Sequence, residues 1–223
     1  MKKAVIVFSG GVDSICMAAL LKKRYDLYGI TFTYGQRANR EVLVAKRMAK
    51  KLLVKHVISD IQFMKSLYGN SNVLTNSKSN IPSFFDYSIV VPIRNAIFLS
   101  IASAWAFSIN AKMVAYGAHK NDVTYPDCRP RFTKKMQDAI NLGEIDGIKS
   151  GLREEIEIWS PYVAGFTKSQ LLKKGYAILK DEIFNSWSCY ANKTIHCGNC
   201  ESCQNRKKAF AKIKLVDKTK YAH

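Results

Sequence analysis

Ala4-Val5-Ile6-Val7-Phe8-Ser9-Gly10-Gly11-Val12-Asp13-Ser14 decides the fold: five apolar residues run into a serine and two glycines, and a helical pattern opens beyond them. An unbroken apolar run suits a strand buried on both faces, as in a parallel sheet, and Ser-Gly-Gly marks the tight turn that ends it. Strand, loop and helix in that order suit an anion site, with a tight turn that binds no ligand as the competing reading. Glycines let successive N–H groups converge on a ligand, and the following helix adds the partial positive charge of its N-terminus. Ser9 and Ser14 offer hydroxyls, and Asp13 is placed to hold Mg2+ or to order the turn. The Walker type of phosphate loop is excluded, because no lysine follows the glycines.

At 223 residues, 48% hydrophobic and 11% aromatic, the chain supplies one α/β core with a small appendage. The expected division is an ATP-binding α/β unit over 1–185 and a cysteine-bearing segment over 186–223 packed on the same unit. The longest apolar stretch, Ala96 to Ile109, is shorter than a bilayer span, and the run after Lys2-Lys3 is too short for a signal peptide. The expectation is a soluble, cytoplasmic protein with no membrane partner. The formal charge of +18, from 35 basic and 17 acidic residues, fits either a polyanionic partner or a lysine-rich surface around an ATP site. It thickens after Arg206, but no aromatic stripe interleaves it, so direct nucleic-acid binding is not expected.

Outward from the loop, Val12 to Tyr25 has helical spacing, with Cys16 as a small core residue, and Leu27 to Thr33 reads as a second strand. Tyr34-Gly35-Gln36-Arg37 stands at that strand's carboxyl end, where open parallel sheets bind ligands, so Gln36 and Arg37 are candidate contacts or ordinary loop polarity. A helix over 42–51 and a short strand over 55–59, with Val57 and Ile58 as its apolar centre, come next. Ile61 to Tyr68 reads as a helix, and Gly69 to Ser88 as a polar excursion that is a lid, a dimer arm or a mobile loop. Ile89-Val90-Val91 resumes the strand pattern. Arg94-Asn95 then stands at the mouth of a long buried helix, a second anion-facing position or a partner for a nearby acid. Met113 to Tyr116 is a strand, and Tyr125-Pro126-Asp127-Cys128-Arg129 is a proline-braced segment suited to stacking on a heterocycle and bonding its edges, or a turn without a ligand. Phe132 to Leu142 is helical, Glu144 to Gly151 a turn region, and Ile156 to Trp159 the last strand. Thr167 caps a helix whose first residue, Lys168, is a cation at the wrong end for the dipole, a placement that hints at phosphate binding.

Cys189, Cys197, Cys200 and Cys203 are spaced Cys-x7-Cys-x2-Cys-x2-Cys, a closed tetrahedral set for a structural Zn2+. An iron-sulfur cluster is the competing occupant. His196 is expected beside the metal rather than on it.

Together these residues resemble the 7-cyano-7-deazaguanine synthase family within the PP-loop ATP pyrophosphatases. The resemblance rests on Ser9 to Ser14, Tyr34 to Arg37 with Glu41, Val91 to Asn95, Tyr125 to Arg129 with Phe132, Ser188 to Tyr190, and Cys197 to Cys203 followed by Arg206 and Phe210. It implies a doubly wound, mainly parallel sheet, a homodimer, and a ligase making a nitrile from 7-carboxy-7-deazaguanine, free ammonia and ATP with Mg2+, for queuosine or archaeosine. It further implies that Ser9, Asp13, Ser14, Arg94 and Lys168 are catalytic. Phe8 to Ser14, through Gly10, Gly11 and Val12, with Arg37 and Arg94, would bind the nucleotide. Tyr34, Gln36, Tyr125, Asp127, Cys128 and Arg129 would bind the deazaguanine. Two positions depart from the family: Ala38 stands where a His commonly follows Gly-Gln-Arg, and Asp122 to Tyr125 is about one residue short. The rival readings are a PP-loop tRNA-modifying enzyme, of thiolase or lysidine-ligase type, and a non-enzymatic zinc-dependent RNA-binding protein.

Overall fold

The computed structural model describes residues 1–191 and 193–222. The chain alternates strand and helix: β1 Lys2–Val7, α1 Val12–Leu21, β2 Tyr25–Thr33, α2 Arg40–Lys51, β3 Lys55–Asp60, α3 Met64–Tyr68, α4 Arg94–Ser108, β4 Met113–Ala115, α5 Pro130–Gly143, α6 Ile145–Lys149, β5 Glu157–Trp159, α7 Lys168–Leu179 and α8 Glu201–Lys212. The five strands form one sheet in the order β3-β2-β1-β4-β5, and every neighbouring pair is parallel. The chain winds outward from β1 on one side and then on the other, so the strand order reverses between β1 and β4. That is where open α/β sheets bind ligands.

Both faces of β1 are buried, which accounts for its uninterrupted apolar run. Ala4, Ile6 and Phe8 pack with α1, α2, α7 and α8 in one core, whereas Val5 packs with α4 in the other. The cysteine segment is part of the first core: Cys189, Cys200, Cys203 and Phe210 share it with Ile15 and Leu171. Helix α4 is fifteen residues long, about 22 Å, short of the ~30 Å hydrocarbon core of a bilayer. Within the 22-residue apolar stretch Tyr87–Ser108 that contains it, one-third of the most apolar 18 residues are buried, and the stretch breaks at the Pro92-Ile93 turn.

Helices α1 and α7 meet at Gly175. A Cβ there would come within 2.3 Å of Cys16 Sγ and 3.1 Å of its Cα, so the packing requires glycine, and Cys16 is the core residue its position suggested. Gly175→Ala is expected to cost about 2–3 kcal/mol through overpacking, read as a drop in urea midpoint at unchanged m. An unchanged midpoint would show that the two helices separate freely.

Four local readings are corrected. Residues 89–91 are not a strand: Tyr87–Ile89 is a 3-10 turn capped by Asp86, and the Ser88 carbonyl accepts from Val73 N and Asn72 Nδ2, so the backbone is satisfied inside the loop. Ile89 and Val91 are buried beneath that loop, a burial with the same apolar signature as a strand. The 144–151 region carries the short helix α6, and the helix expected from Ile61 starts at Met64. Val57 and Ile58 are exposed, because β3 is an edge strand.

Candidate active site

The turn after β1 delivers its donors to the switch point. Gly10 has φ +80°, and a Cβ on it would lie 2.5 Å from the Glu41 carbonyl and 2.7 Å from Ala45 N, so the loop seats directly on α2. Ser9 Oγ accepts from Gly11 N at 3.2 Å and lies 3.2 Å from Ser14 Oγ, which itself donates to the Gly11 carbonyl. No side chain caps α1, which leaves its first N–H groups facing the cavity for an anion. Trp187 N donates to the Gly10 carbonyl at 2.9 Å, so the cysteine segment braces the loop from outside.

These groups open onto a cavity of about 520 Å3 lined by Ser9, Gly11, Val12, Asp13 and Ser14 from the loop and by Tyr34, Gln36, Arg94, Tyr125, Cys128 and Lys168 from elsewhere. Lys168 reaches it because Thr167 caps α7 through a reciprocal box with Gln170. Its Nζ lies 2.5 Å from Asp13 Oδ2, and His119 Nε2 is 3.5 Å from Asp13 Oδ1. Burial alone would raise the Asp13 carboxyl, but Lys168 and His119 hold it below the usual carboxylate range. Burial would likewise lower Lys168, and Asp13 and Asp122 raise it, so both partners stay charged. The cation at the dipole's unfavourable end is therefore paired within the site.

Arg94 follows Ile93, a β-branched residue in the left-handed region at φ +45°, strain that aims the first residue of α4 into the cavity. Its guanidinium donates to Tyr34 Oη at 3.3 Å. Gln36 is buried and clamps its own turn, accepting from Tyr34 N at 2.8 Å and donating to the Phe32 carbonyl at 3.0 Å and to Glu41 Oε1 at 3.3 Å. Burial pushes the Cys128 thiol well above the ordinary range, so it stands as a neutral thiol.

Five expected contacts are not on the cavity wall. Arg37 donates to the carbonyls of Val73, Asn76 and Ser79, the last at 2.5 Å, because the 69–88 excursion turns those oxygens inward. That excursion is a fixed cover: Leu74 lines the cavity, Phe85 packs edge-on against Tyr125, and Pro82 O accepts from Glu201 N. Asp127 accepts from Asn95 N at 3.0 Å in the first turn of α4, and Arg129 Nε donates to the Val123 carbonyl. Phe8 is fully buried in the core, and Gly10 faces α2. Ala38 does lie on the wall.

The sequence reading also missed wall residues. His119 and Asp122 follow β4 on the far side of the switch point, a position the strand-end rule could have flagged. Glu201, Asn205, Lys208 and Lys212 line the cavity at helical spacing along α8. Glu41, opposite them on α2, is lifted to about 7 by burial, against the pull of Arg94. A carboxyl whose folded value is raised stabilises the fold fully below its unfolded value and loses that contribution as pH rises through about 7. Glu41→Gln is therefore expected to gain stability relative to the parent as pH rises from about 4.5 to 7, and to level off above. Urea midpoints of both proteins at pH 5 and 8 check this, and a pH-independent difference would refute it.

The four cysteine sulfurs lie within 4.8 Å of one another. Zinc with four thiolates at about 2.3 Å holds them about 3.8 Å apart, so the donor set fits one tetrahedral ion, whereas a cluster of several irons would spread them. N–H groups of Ala191 and Cys197 donate to Cys189 Sγ, and that of Cys200 to Cys197 Sγ, each at 3.3 Å, as suits thiolates. His196 is outside the set: its Nε2 accepts from Ser188 N at 3.1 Å, its ring packs on Trp187, and burial with Arg206 nearby lowers it to about 4. Arg206 is fully buried and bonds Asp217, Ser186, Ser188 and Thr219, which ties the end of the chain to the metal-binding turn.

Comparison with known proteins agrees with this geometry. The family model described as queuosine biosynthesis protein QueC matches residues 3–214. A protein of Pseudoalteromonas translucida named 7-cyano-7-deazaguanine synthase is 37% identical over 99% of both chains, and one of that name from Methanosphaera stadtmanae is 35% identical over 98% of both. Among solved structures, a predicted subunit of tRNA methyltransferase from Methanocaldococcus jannaschii superposes with TM-score 0.51 at 18% identity, covering 78% of this chain and 74% of its own, a likeness of fold alone. With a glycine loop at the sheet's switch point, a four-cysteine turn beside it and relatives aligned end to end, the chain belongs to the QueC family of queuosine biosynthesis proteins, a family of enzymes.

Proposed function

We propose that this protein makes 7-cyano-7-deazaguanine from 7-carboxy-7-deazaguanine, ammonia and ATP, a ligase reaction that forms a carbon–nitrogen bond. The observation that carries the reading is the uncapped N-terminus of α1 opening, with Lys168 and Arg94, onto one cavity large enough for a nucleotide beside a second small molecule. A carboxylate resists attack because oxide is a poor leaving group. Transfer to AMP, with release of pyrophosphate, gives a mixed anhydride that ammonia opens to the amide and AMP. A second ATP adenylates the amide oxygen with release of a second pyrophosphate, and loss of AMP and a proton then leaves the nitrile.

In this reading the loop N–H groups and the Ser9 and Ser14 hydroxyls receive the pyrophosphate. Lys168 and Arg94 offset the charge that develops on it, and Asp13 keeps Lys168 protonated and aimed. Mg2+ would supply further neutralisation of the phosphates. Tyr125 and Cys128 face the heterocycle. Cys189, Cys197, Cys200 and Cys203 would hold zinc as a structural ion. Ammonia arrives free, the active form is a homodimer, and the product feeds queuosine or archaeosine.

The test is incubation of the protein with 7-carboxy-7-deazaguanine, ammonium and Mg-ATP, followed by mass spectrometry. Nitrile with AMP and pyrophosphate is the expected result. Folded, metal-loaded protein that yields neither would refute the substrate assignment and point to tRNA as the acceptor.

A further inference from the structure

Four acids line the cavity: Asp13, Glu41, Asp122 and Glu201. Three have an evident partner in the protein. Asp13 pairs with Lys168, Asp122 Oδ2 accepts from His119 N at 2.9 Å, and Glu41 accepts from Gln36 while Arg94 acts on it through space. Glu201 differs. It is the first residue of α8, it is 7% exposed, and its carboxylate accepts from two neutral groups, Tyr190 Oη on Oε2 at 3.2 Å and Asn205 Nδ2 on Oε1 at 2.5 Å. A carboxylate has about four acceptor positions, so each oxygen keeps one for the cavity. The pair is fixed in place, since Glu201 N donates to the Pro82 carbonyl and Cys200 precedes it in the metal-binding turn.

Two parallel acceptors on one buried carboxylate match two adjacent donors on one planar edge. We propose that Glu201 is the specificity-determining residue that reads the N1–H and 2-amino edge of the deazaguanine, with Tyr125 and Tyr190 as the aromatic surroundings of the ring. The inference rests on the substrate reading above. It also orients the reaction: that edge lies across the bicycle from C7, so holding it at α8 turns the reacting carboxylate toward the strand ends, where the glycine loop lies. Arginine or lysine at this position would repel both donors, and an apolar residue would leave them unpaired.

The experiment compares 7-carboxy-7-deazaguanine with its analogue lacking the 2-amino group, in turnover and in equilibrium binding without ATP. The parent protein is expected to favour the 2-amino compound by about 10²-fold in kcat/KM. Glu201→Gln presents one acceptor and one donor, so KM for the 2-amino compound is expected to rise about 30- to 100-fold with a smaller change in kcat, and discrimination to fall below about threefold. Glu201→Asp keeps both acceptors and is expected to keep the discrimination at a raised KM. A merely structural role would move both compounds together, so an unchanged ratio in Glu201→Gln overturns the proposal. Where Glu201→Gln does not bind metal or fold, Asn205→Ala, which frees one oxygen from its orienting bond, serves instead and is expected to weaken the ratio. No nitrile from the parent protein refutes the proposed reaction alone. The binding ratio then still decides the inference, and an affinity indifferent to the 2-amino group overturns it.

Discussion

Lys168→Ala is expected to lower kcat by about 10²- to 10³-fold and to lower Tm as well, because it strands the Asp13 carboxylate. The ammonium is 2.5 Å from Asp13 on the wall that the first turn of α1 shares, so its removal does two things at once. In the proposed reaction it withdraws a cation from the developing pyrophosphate, and it leaves Asp13 as an uncompensated negative charge facing the same oxygens. Lys168→Arg is not expected to rescue, because a planar guanidinium presents its donors as a fork where a point charge fits. In the double variant with Asp13→Ala the loss should be smaller than in Lys168→Ala, since the exposed anion has gone, and a double-mutant cycle measures the difference. A single variant retaining kcat within about threefold would show that Lys168 does not meet the phosphates.

Cys203→Ser, or removal of the metal by a chelator, is expected to lower Tm by more than about 10 °C and to abolish turnover. The size follows from where the ligands sit. Cys203, Cys189 and Cys200 are buried in the core that holds α1 and α7, so losing the ion unpins a wall of the main domain. Trp187, which braces Gly10, lies two residues before Cys189, and the loop loses that brace as well. Elemental analysis should return one zinc per chain, and iron in its place would refute the zinc assignment. Melting unchanged by metal loss would show that packing alone holds the segment.

The first strand, its glycine turn and the helix beyond were legible because burial on both faces leaves a pattern no surface element has. The metal set was legible because its spacing is itself the chemistry. Arg37 was not: its three acceptors are carbonyls some forty residues on, and no local pattern records which way a distant backbone turns. Ile89 and Val91 misled because apolar residues buried under a loop and in a sheet look alike in sequence. Glu201 stood in plain view between two ligands, and the stronger signal of the cysteines masked the 201, 205, 208, 212 spacing that brings one face of α8 to the cavity.

The order in which the ribosome delivers these parts has a consequence. All five strands and the glycine loop precede Lys168 in the chain, yet the brace at Trp187 and the wall carrying Glu201 come last. A nascent chain therefore owns the glycine loop before it owns an enclosed cavity. In the proposed reaction, an acyl-adenylate formed in that interval would lie open to water, and hydrolysis would return the starting carboxylate at the expense of ATP. Fastening the cavity's wall to the loop through the four-cysteine turn makes closure of the cavity follow assembly of the sheet.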